Sequence, residues 1–298
     1  MKTQLVLVTL ALASLSAHAE LRIVTCESEW AALATELGGE NVSAESATTP
    51  FQDVHYIQAR PSLIAKVRRA DLVICTGADL EVGWLPLLLR QAGNADVQAG
   101  QPGFFAASDY VELLEKPLSV DRAQGDIHPY GNPHIQTDPR NIANVAAALA
   151  ERLAAIDPPN ADFYRARHED FAARWQSAVE RWTARLAPVN GMQIVVHHRA
   201  WVYLAAWAGL EEVGALEAKP GLPPSAAHLA QLLALVNTRD VRLIIRAAYK
   251  DDRASEWLSE RTGIPHTVIP HTVDSVPEAT DLFAMFDFIV ETLVGAAS

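Results

Sequence analysis

Two kinds of hydrophobic pattern alternate along the chain. Short runs of apolar or alternating residues at 21–26, 42–48, 71–76, 192–196, 213–216, 241–245 and 267–269 read as strands, most of them buried on both faces. Between them, residues 28–37, 61–70, 80–92, 200–208, 225–236, 254–262 and 279–294 carry apolar positions at helical spacing. The punctuation agrees: Gly38-Gly39, Gly209 and Gly263 stop helices, Pro61 and Ser62 open one, and Ser225 stands where a hydroxyl would cap another. Strand followed by helix, repeated, predicts parallel sheets in an α/β fold, here two βα arrays of three or four strands each. Residues 94–135 are rich in Gly, Pro and Asp and read as a long loop region with one short strand near 110–114.

The segment joining the two arrays is patterned differently. Residues 160–186 contain neither Gly nor Pro, and Tyr164, Phe171, Trp175, Ala178 and Trp182 form one stripe of a 3.6-residue helix. At about 1.5 Å per residue, this rod is roughly 40 Å long. It predicts a rigid connection between an N-terminal lobe over 20–159 and a C-terminal lobe over 187–298, with small rocking in place of a wide clamshell.

The first nineteen residues have another purpose. Lys2, an apolar run over 5–15 broken only by Thr9 and Ser14, and Ala17-His18-Ala19 fit a cleavable signal peptide over 1–19. The run is too short for a bilayer core of about 30 Å, and no cysteine follows to take a lipid. A soluble periplasmic product without a lipid anchor is expected. The net charge of −12 argues against nucleic acid and acidic membrane surfaces as partners and suits a cation. Cys26 and Cys75 are the only cysteines. In an exported chain they form either a disulfide or two buried thiols, and they lack the CxxC spacing of a cysteine metal site.

Ten histidines remain to be sorted. His55 follows the second strand, His198 ends the strand at 192–196, and His134 lies in a loop leading to a helix that begins at Asp138-Pro139. Open α/β sheets bind ligands beyond the carboxyl ends of their strands, so imidazoles from both lobes can meet in the cleft between them. Imidazole nitrogen suits zinc, at about 2.0–2.1 Å and near-tetrahedral geometry. Such ligands must be neutral, so affinity is expected to fall below about pH 6.5. There is no P-loop, no GxGxxG after the first strand, no HExxH, and no GxSxG around a serine.

The order of motifs resembles the substrate-binding proteins of zinc and manganese ABC importers, the cluster A-I or ZnuA-like family. The matching stretches are Asp53-Val54-His55 with Arg60-Pro61-Ser62-Leu63-Ile64; Gly77-Ala78-Asp79-Leu80-Glu81; Asn132-Pro133-His134 with Asp138-Pro139-Arg140-Asn141; and Val195-Val196-His197-His198 with Trp201, Tyr203-Leu204 and Gly209-Leu210. The resemblance implies that His55, His134 and His198 bind the metal, and it selects His198 over His197, which strand alternation leaves open. It also implies a two-lobe protein, not an enzyme, that passes Zn2+ (or, less in keeping with three imidazoles, Mn2+) to a membrane permease and its ATPase; the chain is expected to be a monomer. Val54 departs from the family's proline. The histidine-rich collecting loop is reduced to His128. His271, Asp274, Asp281, His128 and water all stand as candidates for a fourth ligand. Residues 246–253, with Lys250, Asp251, Asp252 and Arg253, read as a solvated loop. Rival readings are a periplasmic zinc metallochaperone and a three-histidine zinc hydrolase.

Overall fold

The protein is described by a computed structural model covering residues 20–119 and 125–297; the expected signal peptide lies outside the described residues. The α/β class is borne out. One parallel sheet contains β1 (Leu21–Thr25), β2 (Val42–Ser46), β3 (Leu72–Cys75) and β4 (Phe104–Ala106), in the order β2-β1-β3-β4. The other contains β5 (Gln193–Val196), β6 (Glu211–Ala215), β7 (Val241–Arg246) and β8 (His266–Val268), in the order β6-β5-β7-β8. Both sheets thus have the same winding. In each, all strands run parallel and the strand order reverses beside the first strand, so the loops that leave the carboxyl ends there can form a site.

The helices are α1 (Ser28–Gly38), α2 (Pro61–Arg69), α3 (Leu85–Ala92), α4 (Pro139–Ile156), α5 (Ala161–Arg185), α6 (Val202–Ala208), α7 (Ala226–Val236), α8 (Arg253–Thr262) and α9 (Leu282–Ala297). Among the described residues no helix is long and apolar enough to cross a membrane. Several ends follow from local chemistry. Ser225 accepts a hydrogen bond from His228 N–H and caps α7, and Asp138 does the same for α4 through Arg140 N–H. Gly38 packs so tightly that a Cβ there would lie 2.2 Å from a Val42 methyl.

The connecting helix is α5, 25 residues long, and its buried residues are Tyr164, Phe171, Trp175, Ala178 and Trp182, the stripe read from the sequence. It packs on α1 and α4 from the first half and on α9 from the second. Trp175 Nε1 donates to the Pro139 carbonyl at 2.8 Å, and Trp182 Nε1 donates to Asp287 at 2.6 Å. The Trp175 ring lies edge-on to Phe283 and Phe286 of α9, and the Trp182 ring lies tilted against Phe286. One apolar core therefore runs from Ile23 and Trp30 through α5 to Ile194 and Phe286. Truncating a buried Trp in such a core costs about 3–5 kcal/mol, so the two halves are braced by packing and not merely tethered.

Two expected elements are corrected. Residues 110–114 are not a strand; the edge strand is β4, where Phe104 pairs with Val73. The backbone at 114 bonds elsewhere: Leu114 N–H donates to the Tyr203 hydroxyl, and its carbonyl accepts from Asn132 N–H. α3 begins at Leu85, not at 80, because residues 77–84 form turns. Ala78 and Asp79 have φ of 50° and 65°, and the buried Glu81 carboxylate accepts from Thr76 and Gly77 N–H. These bonds stabilise a conformation a helix cannot use.

Cys26 and Cys75 form a disulfide, with Cα atoms 4.7 Å apart and 49 residues between them in sequence. Closing a loop of that length stabilises the fold by about 4 kcal/mol in the chain-entropy account. Replacing both cysteines by Ala should lower stability by about 2–4 kcal/mol while changing metal affinity by no more than a few-fold. Denaturant unfolding and metal titration of the double variant measure the two effects separately.

Candidate metal centre

His55 sits in the turn after β2. Asp53 accepts twice from it, from the backbone N–H at 3.2 Å and at the ring Nδ1 at 2.7 Å. The neighbouring Val54 carbonyl accepts from Trp84 Nε1 at 2.7 Å, which steadies a loop that lacks the family's proline. His134 is aimed by Asn132, whose side-chain oxygen accepts from the His134 N–H, while Thr137 Oγ1 bonds to the His134 carbonyl. His198 leaves the end of β5, and Glu217, just past β6, holds its Nδ1 at 2.7 Å.

These three rings meet in a buried cluster. Their centroids are 5.7 Å apart for His55–His134, 5.7 Å for His55–His198 and 5.3 Å for His134–His198. One nitrogen of each lies within 4.8 Å of the others. His134 Nε2 and His198 Nε2 are 3.3 Å apart, about the edge of a tetrahedron with metal–nitrogen bonds of 2.0–2.1 Å. His55 Nε2 is buried with no protein partner. The donor set is three imidazoles with inward-facing nitrogens, two of them held in one tautomer by a carboxylate on the far side. That is the usual support of a metal-bound histidine.

Lys250 links the two supports. Its ammonium is 2.8 Å from Glu217 and 3.3 Å from Asp53, so one cation bridges a carboxylate from each half of the molecule. Burial alone would raise both acids. The bonds from His198 and Lys250 overcome it and hold Glu217 down at about 2, and His55 and Lys250 hold Asp53 well below the carboxylate range. Burial and the neighbouring rings push His134 far below the usual imidazole value. Burial likewise lowers His198, with Glu217 pulling the other way. Neutral, metal-competent imidazole therefore persists into mild acid in both.

The solvated-loop expectation for 246–253 is thus wrong at Lys250, whose side chain is only 11% exposed. Asp53, Glu217 and Lys250 were all missed as site residues. For Glu217 a signal existed: it lies just beyond a strand's carboxyl end, as His55 and His198 do. His197 is buried but turns away, toward the opposite oxygen of Glu217 at 3.8 Å.

Among the fourth-ligand candidates, the two aspartates stand apart from the cluster. Asp281 accepts from Ala284 N–H and caps α9; Asp274 is exposed, at a φ of 63°. His271 lies behind the cluster, its ring 4.9 Å from Tyr249. His128 lies in front, its ring 5.4 Å from His55. A second group, Cys26, Cys75 and Glu81, has metal-like spacing, but its sulfurs are spent in the disulfide.

Behind His134 a chamber of about 20 Å³ is lined by Glu27, Glu29, His271 and Thr272 among others, room for about one water. Glu29 receives the Thr272 hydroxyl, and burial pushes its carboxyl up to about 7. A carboxyl raised in the folded state contributes stability fully below its unfolded value of about 4.3, and that stability is lost as pH rises through 7. Glu29→Gln should therefore raise the unfolding temperature relative to wild type more at pH 8 than at pH 5. Thermal unfolding at both values checks this, and an equal change at both would contradict it.

The fold and the buried imidazole cluster define a metal-binding protein of the two-sheet type. The family model described as "Zinc-uptake complex component A periplasmic" matches residues 23–296. The manganese ABC transporter substrate-binding lipoprotein PsaA of Streptococcus pneumoniae is 24% identical over 259 residues, 85% of this chain and 80% of PsaA. The high-affinity zinc uptake system protein ZnuA of Bacillus subtilis is 22% identical over 223 residues, 72% of this chain and 67% of ZnuA. A crystal structure of ZnuA superposes with a TM-score of 0.79 at 20% identity, covering 94% of this chain and all of that one. The chain belongs to this family, the substrate-binding proteins of zinc and manganese ABC transporters.

Proposed function

We propose that this protein captures Zn2+ with His55, His134 and His198 in the cleft between its sheets and delivers it to the membrane permease of an ABC importer driven by an ATPase. The observation that carries the choice of zinc is the donor set. The clustered group is three imidazoles and no carboxylate, and imidazole favours zinc where manganese favours oxygen. The carboxylates nearest the cluster, Asp53 and Glu217, bind the outer nitrogens of His55 and His198 and the Lys250 ammonium. They are engaged on the side away from the ion. One relative carries zinc in its name and another manganese, so the discrimination rests on these ligands.

In this reading the exported form begins after residue 19, works in the periplasm as a monomer without a lipid anchor, and consists of lobes over 20–159 and 187–298 joined by the helix over 160–186. Burial of the ligands suits a carrier, because a sealed ion is shielded from water and competing ligands. The shared core along α5 limits release to small movements of the loops around the cluster.

His55→Ala, His134→Ala and His198→Ala should each weaken zinc binding by more than about a hundredfold, since loss of an outer-shell partner alone costs about 10–100-fold. The circular dichroism spectrum should be unchanged. Competition titration of the purified protein, with zinc against a chelator and then manganese against zinc, reads the effect and the preference. Unaltered zinc affinity in any one variant would remove that residue from the site, and preference for manganese would overturn the zinc assignment.

A further inference from the structure

Resting on the three-histidine reading above, we infer that His128 is a fourth metal ligand, brought to the ion by a covering segment that both halves of the molecule hold in place. His128 has the marks of the other ligands. Its Nε2 is buried and has no partner. Its ring is 5.4 Å from that of His55, close to the 5.3 Å between His134 and His198.

The segment that carries His128 is fastened on both sides of the cleft. Tyr56, next to His55, donates its hydroxyl to Asp126 at 2.6 Å. Asp126 N–H donates to the Pro220 carbonyl at 2.9 Å, three residues beyond Glu217. The approach is close enough that a Cβ on Gly125 would lie 2.3 Å from that carbonyl oxygen, and one on Gly221 would lie 2.0 Å from the Asp126 carboxylate. Only glycine fits at both crossing points. Beneath the segment, a cavity of about 170 Å³ is lined by His128 together with His134 and His198, which leaves room for the ring to move between its place against His55 and the centre of the cluster. His128 is not among the group whose nitrogens lie within 4.8 Å of one another. A change of side-chain rotamer, with its segment kept in place, closes the remaining gap.

Four imidazoles complete the tetrahedral shell that zinc prefers and occupy the position through which water would reach the ion. His271, the other imidazole near the cluster, is turned to Tyr249 and makes no ring contact of this kind.

The test uses the full-length exported protein with 15N-labelled histidine and one equivalent of 113Cd2+, a spin-active stand-in for zinc. Each coordinated nitrogen is split by the cadmium. Four split histidine nitrogens in wild type and three in His128→Gln are expected, with zinc affinity of the variant lowered by at least about tenfold. Three split nitrogens in wild type, unchanged in His128→Gln, would overturn the inference and leave the three-histidine site standing. A fourth split nitrogen that survives His128→Gln would give the position to another histidine and would also overturn it. Splitting absent from His55, His134 and His198 would overturn the earlier reading together with this one.

Discussion

The site depends on one largely buried ion-pair network shared by three side chains. Lys250, between Asp53 and Glu217, is where, among the described residues, the supports of His55 and His198 touch a common group. Each carboxylate alone would hold one imidazole in its tautomer. Joined through a single ammonium, they also fix the two rings relative to each other across the cleft. A buried carboxylate (Glu217) and a partly buried one (Asp53) against one lysine leave a net negative charge behind the imidazoles, which favours a divalent cation. The cation between them lessens their mutual repulsion and the cost of burying both. His134 is positioned independently by Asn132 and Thr137, so the third ligand comes from the segment that leads into α4 and the connecting helix.

The rest of the architecture serves to keep these supports at fixed distance. A clamshell with a flexible hinge would separate Asp53 from Lys250 on opening and expose both charges. Here the aromatic stripe of α5 packs simultaneously on elements of each half. Rigidity lies in the core, and the segments at 52–57, 125–134 and 217–221 that surround the cluster are held to it by the hydrogen bonds of Asp53, Asp126 and Glu217.

The fold was largely legible because its signals are local. The stripe on α5 is a run of five residues whose spacing admits one face, and the buried strands announce themselves by apolar content. Where backbone bonds go to distant partners, the pattern misled: 110–114 alternates like a strand, but its backbone bonds to Tyr203 and Asn132, and Glu81 binds turns where a helix was expected. The histidines were found by their position at strand ends and by family resemblance. Their supports were not, because nothing in the residues around Lys250 distinguishes a bridging ammonium from a solvated one; that distinction exists only once 53, 217 and 250 are brought together from three parts of the chain. The Cys26–Cys75 pairing was open for the same reason, since strand adjacency alone does not set the direction of two side chains.

The central claim is that three inward-facing imidazole nitrogens, fixed from behind, grip one ion. The most direct measurement is a crystal structure of the zinc-loaded protein with anomalous scattering recorded at the zinc edge. The account predicts a single strong peak at about 2.0–2.1 Å from a nitrogen of each of His55, His134 and His198, with Asp53 and Glu217 still on the opposite nitrogens of the first and last. A peak elsewhere, or an ion held by the Asp53 or Glu217 carboxylate in place of the imidazoles, would contradict it.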